Sequence, residues 1–187
     1  MRIDFDLTPE KLQPKLEGLL ALSAEKIRVL DKAWNFSHGT PVFTVQGRYT
    51  ARGWTEWTLG FMFGSALVQF DATGDLWFLE YGRRLTVERM ASYLTHTVVH
   101  DHGFNIVSTY GNLARLVKEG KIEASAFEKE FYELALKASG AVQAARWART
   151  RDGRGYVYSF HGSHSLFIDT MRSLRSLALA HRLGDEF

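Results

Sequence analysis

Cysteine is absent from all 187 residues, which removes disulfides, a thiolate nucleophile and cysteine-ligated metals at once. Proline is scarce. Pro9, Pro14 and Pro41 are the only three and all precede residue 42, so the rest can run as helices punctuated by glycine. No apolar run approaches the about eighteen residues of a membrane span, and no membrane partner is expected. The start, Met1-Arg2-Ile3-Asp4-Phe5-Asp6, is acidic with no apolar stretch behind it, unlike a secretory leader, and a cytoplasmic protein is expected. A net charge of only +2, with scattered basic residues, gives no reason to expect a nucleic-acid partner. Arg146, Arg149, Arg151 and Arg154 cluster where a helix end and the following loop are expected, and cations suit the negative end of the helix dipole.

What is present is apolar and aromatic. With 45% hydrophobic residues, the chain can bury one sizeable core. Thr8-Pro9-Glu10 reads as a helix start, with Pro14 in the first turn or in a short preliminary one. Leu12, Leu16, Leu19, Leu20, Ile27 and Leu30 then form one face. Residues 34–54 read as a long ordered loop that can hold a short hairpin, because Gly39, Pro41, Gly47 and Gly53 alternate with aromatics. Residues 57–70 are apolar nearly all round, the mark of a buried helix, with Gly60 and Gly64 permitting close contact. Residues 75–94 and 123–147 are amphipathic. Residues 104–117 and about 166–183 are strongly apolar, and a glycine-rich loop precedes the last.

Buried and exposed helices therefore alternate in three hairpins. The expected fold is all-α, an α/α toroid in which inner helices line a barrel and outer ones cover it. Thr73-Gly74-Asp75 joins an inner helix to the next outer one, and Leu183-Gly184-Asp185 repeats that junction where a fourth hairpin would begin. Residues 1–187 are accordingly expected to be a single domain, about half of a closed (α/α)6 barrel, either truncated or completed by another chain.

Two carboxylates stand at the mouths of apolar helices, in His100-Asp101-His102-Gly103-Phe104 and Phe167-Ile168-Asp169-Thr170-Met171. Brought together, they would make an acid/base site. Asp101 can equally be an N-cap. Asp169 is expected within an apolar face, where burial favours the protonated form that a general acid needs. An ion pair with Arg172, three residues on, is its structural alternative. His96, His100 and His102, with His161 and His164, admit a metal-dependent hydrolase, although their spacing is no recognised signature. Trp54, Trp57 and Phe160 offer flat faces to a sugar, or simply pack. Glu56 and Asp71 are further carboxylates in weaker contexts.

Four motifs in order carry a resemblance: Trp57-Thr58-Leu59-Gly60-Phe61-Met62-Phe63-Gly64, Thr73-Gly74-Asp75, His100-Asp101-His102-Gly103-Phe104 and Ile168-Asp169-Thr170-Met171. From about residue 16 onward the chain resembles the N-terminal half of glycoside hydrolase family 88, the unsaturated glucuronyl hydrolases, with the unsaturated rhamnogalacturonyl hydrolases of family 105 as cousins. The resemblance implies an (α/α)6 barrel of about twice this length. It implies Asp169 as general acid/base hydrating the C4=C5 double bond of an unsaturated uronyl oligosaccharide, assisted by Asp101. It further implies a substrate-stacking wall at Trp57, His100 assisting beside Asp101, and no metal or organic cofactor; Phe160, Trp54 and Arg172 are the other candidate substrate contacts. The chain departs from the family pattern at Leu59, where an aspartate is common, at Arg172-Ser173, where Met-Asn is common, and at Phe160, where tryptophan is usual. The family's second-half histidines and glutamine have no counterpart here. Arg48, Arg52 and Arg154 are candidate partners for a substrate carboxylate. An isolated half would expose apolar helix edges, so either a homodimer or a missing second half is expected. A non-catalytic carbohydrate-binding half toroid is the other reading.

Overall fold

The computed structural model describes residues 5–53 and 57–185. Helix α1 (Pro9–Ala33) starts as its sequence dictates, with the Thr8 hydroxyl accepting from the Lys11 amide. Pro14 lies inside this helix rather than in a separate turn, where its missing N–H costs one ladder bond. A hairpin of β1 (Thr40–Val45) and β2 (Arg48–Arg52) occupies the expected loop.

Helix α2 (Thr58–Thr73) buries Leu59, Phe63, Ala66, Leu67 and Phe70, but Phe61 and Val68 stay exposed. It is thus buried on most of its circumference, not all. At its end Gly74 adopts a left-handed φ of 73°, and the Asp75 carboxylate caps α3 (Leu76–Arg89) at the Trp77 amide. The matching junction after residue 183 behaves alike: Gly184 has φ 92°, and Asp185 pairs with Lys137 at 3.5 Å. A short α4 (Ala91–Leu94) follows α3.

Residues 104–117 are not one α-helix. Gly103–Gly111 is a π-helix that continues into α5 (Asn112–Lys118). Within it the Thr109 hydroxyl and the Asn112 amide donate to the Asn105 and Ser108 carbonyls, at 2.5 and 2.8 Å. Helix α6 (Ala126–Ala144) opens with a full Ser125/Glu128 capping box and ends before Trp147. Trp147 belongs instead to a second hairpin, β3 (Trp147–Arg149) with β4 (Gly155–Val157), in what reads from the sequence as loop. Helix α7 (Thr170–Arg182) begins four residues later than its apolar pattern predicts. It turns Thr170, Ser173, Ser176 and Ala180 inward, so small residues rather than large apolar ones form its buried face.

Helices α2, the π-helix with α5, and α7 lie side by side as the inner row. Helices α1, α3 and α6 back them as the outer row. The core sits between the rows, with Phe63, Leu67, Phe78, Ile106, Tyr110 and Leu113 at 0 to 1% exposure. Among the described residues no helix is long and apolar enough to cross a membrane.

Candidate active site

The inner helices begin at one mouth of the toroid, and there the two sequence motifs meet. Close approach is what permits it. A Cβ on Gly64 would sit 2.5 Å from the Ser108 carbonyl, one on Gly60 would strike the Phe104 and Asn105 backbone, and one on Gly103 would lie 2.6 Å from Ser173 Cα. The Gly60 amide donates to Asn105 Oδ1 at 3.1 Å and the Gly103 amide to Ser173 Oγ at 3.4 Å.

His100 is the centre. Its ring is 1% exposed, and its Nδ1 lies 2.9 Å from the Ser159 carbonyl. A carbonyl only accepts, so Nδ1 carries the hydrogen. Nε2 therefore faces the carboxylates, 3.0 Å from Asp169 Oδ1 and 3.6 Å from Asp101 Oδ1. Among the described residues neither Nε2 nor Asp169 Oδ1 has an in-line hydrogen bond. At 3.0 Å the two groups stand within reach of a proton exchange. That is an acid/base arrangement in its geometry.

Several sequence expectations change here. Asp169 caps α7 by position but makes no side-chain cap bond, and its side chain is 41% exposed. Its neighbours Phe167, Ile168 and Met171 are exposed as well. The carboxylate thus stands in an open mouth rather than inside an apolar face, because the inner faces of a half toroid line a cleft. The ion pair with Arg172 is replaced: Asp169 pairs with His100, and the Arg172 guanidinium lies 5.7 Å over the Phe104 ring. Asp101 is buried beside His100, and the π-helix that follows has no side-chain cap from His102. His102 engages both ring nitrogens, Nδ1 with Ser139 Oγ at 2.9 Å and Nε2 with the His96 carbonyl at 2.7 Å. It has none left for a metal. Burial pushes its pKa down to about 4, and burial with the Arg146 charge lowers that of His96. His161 and His164 are exposed on the loop before α7.

Aromatic rings form a wall where the inner helices start. Trp57, 43% exposed, packs edge-on to Phe61 at 5.5 Å, and both contact Phe104. Phe160 meets His100 edge-on at 5.2 Å. Trp54 and Glu56 lie outside the described residues. Asp71 is an ion-pair partner of Arg115 and Lys121, Arg154 pairs with Asp152, and Arg52 lies over Phe43. Two concavities of about 750 and 630 Å³ lie elsewhere, one over Trp77 and Phe131, the other over Leu136 and Arg175. Neither is lined by Asp101 or Asp169, so size does not mark the chemistry here.

Ser159 and Arg146 are the residues that sequence reasoning misses. The Ser159 hydroxyl bonds Thr170 Oγ1 at 2.6 Å and accepts from the Phe167 amide at 2.5 Å, tying the loop to the start of α7. Arg146 is no solvated helix-end cation: it is 1% exposed and donates to backbone carbonyls. Nothing in the local sequence signals either.

No family model matches the chain, and no curated protein matches it. A solved structure of an unsaturated glucuronyl hydrolase specific for heparin is similar, with a TM-score of 0.70 over 87% of this chain at 18% identity. The match covers 41% of that chain, so this one spans less than half of its length. The likeness shows the fold, an all-α chain with the α/α toroid architecture.

Proposed function

We propose that this chain is the acid/base half of a glycosidase that hydrates the C4=C5 double bond of an unsaturated uronyl oligosaccharide. The observation that carries the reading is His100 Nε2 at 3.0 Å from Asp169 Oδ1 and 3.6 Å from Asp101 Oδ1, in an open mouth beside an aromatic wall. The fold likeness to an unsaturated glucuronyl hydrolase supports it.

Asp169 is accessible enough to reach a substrate and close enough to His100 to exchange a proton with it. Protonated, it delivers that proton to C4. Water adds at C5 as the carboxylate takes its proton, which restores Asp169. The C5 hemiketal opens to a ketone, and the hemiacetal left at C1 expels the next sugar. Asp101 holds negative charge beside His100, while Trp57 gives a flat face to the sugar and Arg172 a cation for the uronate carboxylate. Phe160 backs the His100 ring. The exposed Phe167, Ile168 and Met171 form the edge that the rest of a toroid, or a second copy, would cover. Light scattering at twice the chain mass is the result expected of a dimer.

The test is loss of the conjugated enoate absorbance of an unsaturated uronyl disaccharide. Asp169→Asn should lower kcat by about 10²–10⁴-fold, the range a positioned acid/base supplies, with an unchanged melting temperature. Unchanged turnover in that variant would sink the reading. Sugar binding without turnover in the unsubstituted chain would favour a carbohydrate-binding half toroid.

A further inference from the structure

Arg146 presents a problem that the fold alone does not explain. A guanidinium at 1% exposure is costly to bury, and burial lowers the pKa of this one, the charge of Asp101 offsetting only part of that. Among the described residues it forms no ion pair. It is matched by carbonyl dipoles instead. Nε and Nη2 donate to the Tyr158 carbonyl at 3.2 and 3.0 Å, and Nη2 also donates to the carbonyls of Phe160, at 3.0 Å, and Ser159. Nη1 donates to the Thr97 carbonyl, and the guanidinium carbon lies 4.4 Å over the Tyr158 ring.

These carbonyls belong to two segments that share one property. Thr97 stands three residues before His100, and residues 158–160 begin the loop that ends at Asp169. The Ser159 carbonyl is common to both devices, since it accepts from Arg146 and from His100 Nδ1. The Ser159 hydroxyl then holds Thr170, the residue after Asp169. Arg146 thus grips the supports of both members of the pair.

We propose that Arg146 is a positioning residue of this site: by holding the Ser159 carbonyl and the Thr97 segment together, it fixes His100 with hydrogen on Nδ1 and turns Nε2 to the two carboxylates. The proposal rests on the Asp169 reading only for its consequence in turnover. The ring state of His100 is a separate claim. Lysine could not replace the arginine, because one ammonium lacks the planar fork that spans several carbonyls on two segments.

Long-range proton–nitrogen spectra of the histidine rings, with His100 assigned by its loss in His100→Gln, test the claim in the unsubstituted protein. Hydrogen on Nδ1 is expected; a bare Nδ1 with hydrogen on Nε2 alone would overturn the proposal without any Arg146 variant. Arg146→Lys, shown to be folded by near-ultraviolet circular dichroism, should lose the single ring state. Its kcat for enoate loss should fall about 10²-fold, as a misplaced group does, while KM stays within about 3-fold. A folded Arg146→Lys with the original His100 spectrum and kcat would overturn it as well. If the unsubstituted chain turns over no unsaturated uronide, the Asp169 reading fails, and the ring spectra still decide the role of Arg146.

Discussion

Two seams meet at the inner row of helices, and they are built from opposite materials. Between the inner and outer rows the seam is large and apolar: Phe63, Leu67, Ile106 and Tyr110 are all 0% exposed. Along the buried face of α7 it is small and polar, with Ser173, Ser176 and Ala180 at 0% and Thr170 at 5%. Glycine permits close approach at each, Gly82 against Leu67 at the first and Gly103 against Ser173 at the second. The energetic yield differs. A fully buried large apolar side chain contributes about 1.5–3 kcal/mol, whereas a typical hydrogen bond nets about 1 kcal/mol. The first seam holds the fold together. The second gives up packing energy to let the start of α7 close on Gly103 and Ser159, beside the candidate acid/base pair.

The largest break in that comparison should come at Phe63. Phe63→Ala opens a cavity where the surrounding helices cannot collapse freely, and should cost about 3–5 kcal/mol by urea denaturation. Ser176→Ala in the second seam removes one bond, to the Ser173 carbonyl at 2.7 Å, and should cost about 1 kcal/mol or less. Equal costs would show that the seams are not energetically distinct.

His102, held against Ser139 of α6 and the His96 carbonyl, supplies the next effect in size. Its pKa is about 4 when folded against 6.5 in its ordinary state, with burial as the main cause. The unfolded chain therefore binds more protons between those values. Stability from keeping His102 neutral is complete above 6.5 and is lost as pH falls toward 4. Between pH 7 and 5 the loss should be about 2 kcal/mol. His102→Gln should flatten that part of the stability–pH curve; an unaltered slope would place the cause in other groups.

Much of this was readable in the sequence, and what was not has definite physical causes. The Gly74–Asp75 junction was legible because capping is local, fixed by residues that are neighbours in the chain. The amphipathic helices were legible from their period. The start of α7 was misplaced because Leu166, Phe167 and Ile168 look like core, and residues lining a cleft have the same composition as residues filling one. The π-helix was hidden because an i→i+5 ladder over nine residues leaves nearly the same pattern as an i→i+4 one. Asp101 and Asp169 could be named as a pair, but not the contact between them, since His100 joins them across the fold. Arg146 reads from the sequence as one of a cluster of helix-end cations; the loop that buries it begins twelve residues later, and no local pattern reports a contact of that kind.

The smallest effect is the sharpest test of the open edge. Ile168 is 86% exposed, next to Asp169 and beside the exposed Phe167 and Met171. In an isolated chain Ile168→Ser removes little buried surface, so the urea midpoint should move by less than about 0.5 kcal/mol at dilute protein. At high concentration a self-associating chain gains stability from whatever covers this edge, by mass action on the folded state. The substitution should then remove the concentration dependence of the midpoint while leaving the dilute value in place. A cost well above 0.5 kcal/mol in the dilute chain would mean that Ile168 is already packed within a single copy, and the edge beside Asp169 would be closed rather than open.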